Sequence, residues 1–360
     1  MRLLVISPDL RHMGGVVETV KLLLRELEGK AEVTPAVLGR RINQTGFARF
    51  FRTLADILNL FWLSCFNRFD VIHMNPSLNL VSALKEGILF LMFCLLGYSG
   101  RILIFIHGWD EIFFRRIATG RFSAMLLRAV LNRAGMVLVL AEDFRKELGS
   151  IGVDLSRVEV VSTMVDMDNL PVSSVCRDDG KSLLFLSRMI EGKGVYELLD
   201  AFSLLCARFE GLELVMAGDG PEQENLMRIA ESRNLSNVSF PGYIQGVEKN
   251  RLLEKSCIYL LPTSREGCPV SLLEAMSAGL VPVVTDAGGI KDVIKPGQTA
   301  VLLDEVSAEA IAGAVAGLID DSDFRVAVSE NARRFAREHF SSHKVTGEIF
   351  EFYERLNFQK

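Results

Sequence analysis

The sequence predicts an α/β protein built from two doubly wound parallel-sheet domains, and three observations carry that prediction. Short apolar runs end in turns rich in Gly, Pro or Asp and lead into segments of helical spacing, which is the βα unit of a parallel sheet. This alternation stops over residues 165–180, VDMDNLPVSSVCRDDG, where Pro, Ser and Asp gather, and restarts at Ser182. At 360 residues the chain is long enough for two such domains, each with its own core. The expected organisation is a first domain over residues 1–165, a linker over 166–180, a second domain over 181–340 and a terminal helix over 341–360.

The first domain opens with apolar residues 3–7, the turn PDLRHMGG, and helical spacing over 16–27 with Val16, Val20, Leu23, Leu24 and Leu27 on one side. Ligands of doubly wound sheets sit above such a turn, so Gly14 and Gly15 are candidate cleft residues, a plain structural turn being the alternative. The turn lacks GxGxxG spacing and is not a dinucleotide fingerprint. Residues 33–38, 70–74, 102–107, 136–140 and 158–161 read as further strands, most of them spaced for an intervening helix. His107 and Asp110 stand at a strand's C-terminal end, where α/β sites are built, although a histidine there also serves structure alone. Two apolar segments stand out. Residues 47–69, FARFFRTLADILNLFWLSCFNRF, intersperse Arg49, Arg52 and Arg68, and read either as a helix of the domain or as an interfacial helix against anionic lipid. Residues 88–96, ILFLMFCLL, read as a buried helix. Neither reaches the roughly 20 apolar residues that a membrane span needs.

The second domain restarts with a strand over 182–187, a loop RMIEGKG, and a helix over 195–209 with Leu198, Leu199, Phe202 and Leu205 inward. Arg188 and Lys193 in that loop can clamp a diphosphate, Arg as a fork and Lys as a point charge. A strand over 212–217 leads to the turn GDGPE, which contains Gly218, and a strand end over 238–242 leads to Tyr243 and Ile244. Residues 258–261 then deliver the chain to LPTSREGCPVSLLEAMSAGLVPVVTDAGGI, which reads as loop, helix, turn, strand, loop. Pro269 suits the first turn of that helix, and Gly279 sits where a glycine would end it. Glu266 falls in the preceding loop, and Glu274 about a turn and a half inside the helix. A helix N-terminus around Gly267, Cys268, Pro269 and Val270 is a natural seat for phosphate, and the two carboxylates can accept hydrogen bonds from sugar hydroxyls. The plain alternative is that both are ordinary surface charges. Helical stretches over 308–318, 324–340 and 343–356 complete the chain. His339 and His343 are separated by a Ser341-Ser342 break, and no HExxH, DxD-like pair or carboxylate cluster points to a metal.

The run from Arg265 to Gly279, followed by Pro282-Val283-Val284 and Gly288-Gly289, resembles the Glu-x7-Glu signature of retaining glycosyltransferases of family 4. Ser187-Arg188 and Lys193-Gly194 resemble that family's phosphate-binding pair, and Gly218-Asp219-Gly220-Pro221 its Gly-x-Gly-Pro loop. The resemblance is tight over residues 182–303 and loose in the first half, where Ser162-Thr163-Met164-Val165-Asp166 replaces the family's Pro-Asn-Gly-Val-Asp. It implies the GT-B fold, two Rossmann-like domains facing across a cleft, with the last helix crossing back to the first domain. It further implies metal-independent hexosyl transfer, with a UDP- or GDP-sugar as co-substrate and no cofactor. The acceptor would be a saccharide or lipid-linked saccharide, in cell-envelope or exopolysaccharide biosynthesis. By resemblance, Glu274 would bind the ribose, Arg188 and Lys193 the departing diphosphate, and Glu266 and His107 the donor sugar. Gly218, Tyr243 and Ile244 would lie near the nucleotide, with Gly14, Gly15 and Asp110 on the acceptor side. Two other readings stay open: a GT-B epimerase or hydrolase of nucleotide sugars, and a non-catalytic partner subunit.

Net charge is −5, but residues 1–165 hold 20 Lys+Arg against 15 Asp+Glu, and the remainder 20 against 30. The acidic half is the one with the proposed anion site, so local groups rather than global steering must hold the ligand. Residues 40–133 carry twelve Arg+Lys against five Asp+Glu, which suits anionic headgroups or a pyrophosphate-linked acceptor and leaves peripheral membrane contact open. Nothing points to nucleic acid. The six cysteines, with no CxxC pair, read as reduced thiols. MRLLVISPDL reads as a strand rather than a leader, and the expected location is the cytoplasm, with the inner face of the membrane as the alternative.

Overall fold

The computed structural model describes the chain apart from residues 13, 40, 42–45, 174–175, 177–178 and 359–360, with the backbone alone for residues 47–49. It divides into two compact units, Met1–Met164 with Ser342–Lys360, and Val165–Ser341.

The first unit runs β1 (Arg2–Ser7), α1 (Gly15–Glu26), β2 (Glu32–Val37), α2 (Gly46–Phe66), β3 (Val71–Met74), β4 (Ser77–Leu78), α3 (Leu80–Leu95), β5 (Ile102–Ile106) and β6 (Gly108–Trp109). It continues with α4 (Glu111–Thr119), α5 (Arg121–Leu131), β7 (Met136–Val139), α6 (Glu142–Ser150) and β8 (Val158–Val160). Six of these strands form one parallel sheet in the order β2-β1-β3-β5-β7-β8. Leu3, Leu4, Val5 and Ile6 are all buried, as a strand covered on both faces requires. The chain leaves β1 in one direction, then returns past it and continues the other way. Right-handed crossovers therefore set α1 on one face and α2, α3 and α5 on the opposite face. Packing agrees, since α2 lies on α3 and α3 on α5. The small parallel pair β4–β6, with Ser77 opposite Gly108, has no counterpart in the sequence reading.

Two helices of this face correct or refine expectation. Residues 88–96, expected as a buried helix, belong to α3, which buries Leu89, Phe90 and Phe93 but exposes Leu84, Ile88, Leu91 and Leu95. A continuously apolar run has no period, so hydropathy cannot tell which side faces the sheet. In α2, Asp56, Ile57 and Leu60 turn inward. The Asp56 carboxylate accepts the Gly39 N–H at 3.2 Å and both arms of the Arg41 fork at 3.0 and 3.1 Å, which fixes that orientation.

The second unit runs β9 (Ser182–Leu186), α7 (Val195–Cys206), β10 (Glu213–Ala217), α8 (Gln223–Ser232), β11 (Val238–Gly242), α9 (Gly246–Lys255), β12 (Ile258–Leu261) and α10 (Val270–Ala278). It closes with β13 (Val281–Thr285), β14 (Val301–Leu303), α11 (Ala308–Asp320) and α12 (Ser322–His339). Its parallel sheet has the order β11-β10-β9-β12-β13-β14, so the winding direction reverses between β9 and β12. Pro269 takes the N-cap position of α10 rather than its first turn, and Gly279 ends the helix at φ 93°.

The described residues of 166–180, read as a linker, pack within this second unit. The Ser173 N–H donates to Ala278 O at 2.7 Å, and the Asn250 amide to Asn169 O at 2.6 Å. Buried Arg325 donates to Cys176 O at 3.1 Å. Cys176 and Cys257 lie side by side, with Cα atoms 4.6 Å apart, a spacing that a disulfide can bridge and that the reading of six separate thiols did not foresee. Their separation of 81 residues hides the pairing from any local reading. The final helix, α13 (Ser342–Phe358), joins the first unit and packs against α1 and β3. There Ser342 donates to Glu26 at 2.7 Å, and Tyr353 meets His73 at 2.5 Å.

Candidate functional site

In open α/β sheets, ligands bind beyond the strand C-termini where winding reverses. In the second unit that point lies between β9 and β12, and the chain exits there through residues 187–194 and 262–269. Lys193 Nζ donates to Glu266 Oε1 at 2.7 Å and to Arg265 O at 3.1 Å. Both side chains are largely shielded, at 12% and 21% exposure, so each is the other's main compensation. The two loops are stitched at Gly192 O, which accepts the Ser264 N–H at 2.9 Å and the Thr263 hydroxyl at 3.2 Å. Arg188, at the exit of β9, is exposed; its carbonyl accepts the Ile190 N–H at 3.1 Å, and its guanidinium makes no hydrogen bond or ion pair among the described residues.

Two glycines let the surrounding turns close on this point. A Cβ on Gly218 would stand 1.9 Å from Ser187 O, so a side chain there would lift the β10 turn off the exit of β9. At Gly288, with φ +55°, a Cβ would stand 1.7 Å from Glu266 O. Gly289 N–H donates to Gly267 O at 2.6 Å, so the Glu266 loop is braced from the β13 side as well.

Helix α10 starts after Pro269 with no side-chain cap, leaving its first N–H groups and dipole directed toward the same loop. Cys268 is buried beside it. Within α10, Glu274 Oε1 accepts from Lys249 Nζ of α9 at 2.6 Å, the two side chains being 13% and 25% exposed. Sequence reasoning missed Lys249, because nothing in the local pattern of α9 pairs it with a residue 25 positions later. It also missed the Tyr196 hydroxyl, which bonds Glu222 and accepts from Asn225 at 2.8 Å, tying the GDGPE turn to the start of α7. Tyr259 is fully buried with its hydroxyl 2.8 Å from Ser271 Oγ, and burial pushes its phenol well up, so it stays neutral. After β11, Tyr243 is half exposed and Ile244 buried.

The remaining candidates lie in the first unit. Gly14 is the N-cap of α1 at φ 141°, and Gly15 its first residue. His107 follows β5 and is buried, with Nε2 2.9 Å from Asn75 Oδ1. The Asn75 amide donates to Ile6 O at 3.0 Å, fixing the side chain. His107 Nδ1 has no partner among the described residues. Burial lowers its pKa to about 3, so the ring is neutral near pH 7 and acts through hydrogen bonds rather than charge. Asp110 caps α4, accepting the Phe113 N–H at 3.0 Å, which gives it a structural role. The structure thus gathers Arg188, Lys193, Glu266, Gly218 and the start of α10 in one unit. Gly14, Gly15, His107 and Asp110 belong to the other.

Comparison with known proteins gives two family models: one described as Glycosyl transferases group 1 over residues 166–335, and one described as Glycosyltransferase Family 4 over residues 13–169. The chain is 26% identical over 260 residues to a putative colanic acid biosynthesis glycosyltransferase, WcaL, of Salmonella typhimurium, covering 69% of this chain and 63% of that protein. It is 28% identical over 213 residues to a phosphatidyl-myo-inositol mannosyltransferase of Mycolicibacterium smegmatis, covering 58% and 53%. The chain spans about half the length of such curated relatives, from 39% to 63%. Among solved structures, a sucrose-phosphate synthase of Thermosynechococcus elongatus superposes with a TM-score of 0.79 at 16% identity over 100% of both chains. Anabaena HepE, in complex with UDP and glucose, gives 0.76 at 15% identity over 99% of this chain and 100% of that one. These likenesses identify the fold as GT-B.

Proposed function

We propose that this chain, which belongs to the group 1 glycosyl transferases of family 4, is a retaining hexosyltransferase that uses a nucleotide sugar. The observation that carries the reading is the Lys193–Glu266 pair, set where winding reverses between β9 and β12 and beside the uncapped start of α10. A nucleoside diphosphate laid there meets a cation, free N–H groups and a carboxylate within one loop cluster. The HepE complex with UDP and glucose is in keeping with such a ligand.

In this reading the bond from the sugar's anomeric carbon to the diphosphate oxygen breaks, and charge accumulates on that oxygen. Lys193, Arg188 and the N–H groups at the start of α10 stabilise it, which is why we assign neutralisation of the leaving group to the protein rather than to a metal. Glu266 holds donor-sugar hydroxyls and faces the cationic character that develops at the anomeric carbon. The acceptor oxygen forms its new bond on the face from which the diphosphate departs, and its proton passes to the departing phosphate oxygen. Glu274, held by Lys249, takes the ribose hydroxyls. His107, Gly14 and Gly15 are assigned to the sugar and acceptor side. A UDP- or GDP-sugar is the donor, and a saccharide or lipid-linked saccharide of envelope or exopolysaccharide assembly is the acceptor, taken on the cytoplasmic side.

The test is a thermal-shift panel of UDP, GDP and ADP, without metal and then with Mg²⁺, on wild type and Glu274→Ala. A ligand at 100-fold its Kd adds about 2.7 kcal/mol of stability. One uridine or guanosine nucleotide shifting wild type but not the variant is the expected result. No shift with any of the three would favour a non-catalytic subunit, and turnover of nucleotide sugar without acceptor would favour an epimerase or hydrolase.

A further inference from the structure

The helical face of the first unit that carries α2, α3 and α5 has an outer surface at odds with a water-facing helix layer. Along α2, Phe50, Leu54, Leu58, Trp62 and Phe66 recur every four residues and are all exposed, Phe66 at 78% and Trp62 at 57%. The rings of Trp62 and Phe66 stack on one another, with centroids 5.7 Å apart. Along α3, Leu80, Leu84, Ile88, Leu91 and Leu95 recur every three or four residues and are likewise exposed, Leu95 at 85%. On α5, Phe122, Met125 and Leu126 are exposed, Phe122 at 73%. Because α2 packs on α3 and α3 on α5, on one side of one sheet, these stripes lie next to one another. Scattered exposed leucines are ordinary, but a run of adjacent apolar stripes marks a surface that something covers.

Charge says what covers it. Arg52, Arg68, Arg116, Arg121 and Arg128 are exposed around these helices, and Arg115 is exposed but pairs with Glu111 at 3.5 Å. The acids of α2 and α3 are withdrawn: Asp56 is buried against Arg41, and Glu86 turns inward beside Lys85. Exposed bulky apolar side chains bordered by arginines match a bilayer interface with anionic headgroups. A second copy of the chain fits poorly, because a symmetric contact through this face would set arginines against arginines. No helix among the described residues is long and apolar enough to cross a membrane, so the fit is to the surface of the bilayer.

We propose that the outer face of α2, α3 and α5 seats the first unit on an anionic lipid surface, with the apolar stripes in the headgroup–acyl boundary and the arginines among the phosphates. The inference does not depend on the assignment of the donor site. It is tested by co-sedimentation of the full chain with vesicles of phosphatidylcholine alone and of an equal mixture with phosphatidylglycerol, at low and high salt. Wild type should sediment with the mixed vesicles at low salt and far less with phosphatidylcholine alone. Arg116→Glu with Arg121→Glu should weaken binding to the mixed vesicles at least about 25-fold, at about 1 kcal/mol per basic residue. Trp62→Gln with Ile88→Gln should weaken it about ten-fold or more, through lost apolar insertion. All four substitutions lie on exposed positions, and unchanged melting and nucleotide shifts confirm that the variants are folded. Three outcomes overturn the proposal: no sedimentation of wild type with mixed vesicles at low salt, binding that neither variant pair alters, or a stable dimer that Trp62→Gln with Ile88→Gln dissociates while vesicle binding is absent.

Discussion

The two units share one architecture, six parallel strands with helices on both faces, yet they place their polar and apolar groups in opposite ways. In the second unit, charge converges at the strand ends: Lys193 on Glu266 at the β9–β12 reversal and Lys249 on Glu274 behind it. In the first unit β3 and β5 end on buried, neutral imidazoles, His73 and His107, while several exposed arginines and much of its exposed apolar surface sit on or beside the outer helices. A parallel sheet opens at its strand C-termini whatever its sequence. Which surface does chemistry is decided by where a few charged side chains are left half-shielded.

The contrast is broken most sharply at Lys193. Lys193→Ala removes a charge-assisted contact that strengthens as the diphosphate departs, and should lower turnover by roughly 10²–10³. Arg188→Ala should act in the same direction. Sugar transfer from a radiolabelled nucleotide sugar is the measurement, and full activity in Lys193→Ala would remove the clamp from the mechanism.

The next effect is on binding rather than rate. Glu274 is held by a short contact to Lys249, so Lys249→Met should remove that partner and shift the carboxylate. Loss of a hydrogen bond to a charged group costs about 1.5–3 kcal/mol, so nucleotide affinity should fall by about ten-fold or more while turnover at saturation changes less. Calorimetric titration of UDP and GDP on wild type, Glu274→Ala and Lys249→Met decides this. Equal affinity in all three would detach the pair from the donor site.

The second unit's site was legible because its chemistry is local in sequence. Glu266, Pro269, Glu274 and Gly279 occupy one loop and one helix, and a helix start following a strand exit fixes where they point. Lys249 and the Cys176–Cys257 contact were not legible, since their partners lie 25 and 81 residues away. The strands of the first unit were legible from apolar runs and turns, but the orientation of α3 was not. Residues 88–96 are apolar throughout, and only packing against the sheet chose Leu89, Phe90 and Phe93 as the inner set. Asp110 shows a role that strand position does not reveal: its side chain caps α4.

The first unit's buried histidines sharpen the comparison through pH. Burial lowers both pKa values from 6.5 to about 3, and for His73 the nearby His107 adds to the effect. Each folded-state pKa lies below its unfolded value, so between those limits the unfolded chain binds more protons. The stabilising contribution is therefore complete above about pH 6.5 and is lost as pH falls toward 3. Within that window each histidine should add a slope of about 1.4 kcal/mol per pH unit. Urea unfolding across the window, on wild type and His107→Asn, measures it. A slope that the substitution leaves unchanged would show that His107 protonates freely in the folded state.

The smallest effect is the most discriminating for the outer helices. Leu84 and Leu91 are 61% and 50% exposed, and Leu95 more so, on the side of α3 away from its buried Phe90 and Phe93. If water is what they face in the isolated chain, Leu84→Gln and Leu91→Gln should each change unfolding free energy by no more than about 0.5 kcal/mol. Truncation of Phe90 would instead open a cavity against the sheet. A loss well above that limit for the glutamine variants would mean that the stripe is already packed in solution, by the chain itself or by another copy. Near-neutral glutamines, with a melting temperature unchanged across protein concentration, would mean that the stripe is held ready for a surface the isolated protein lacks. Stability by itself then separates a core that the sequence spread outward from a face built for contact.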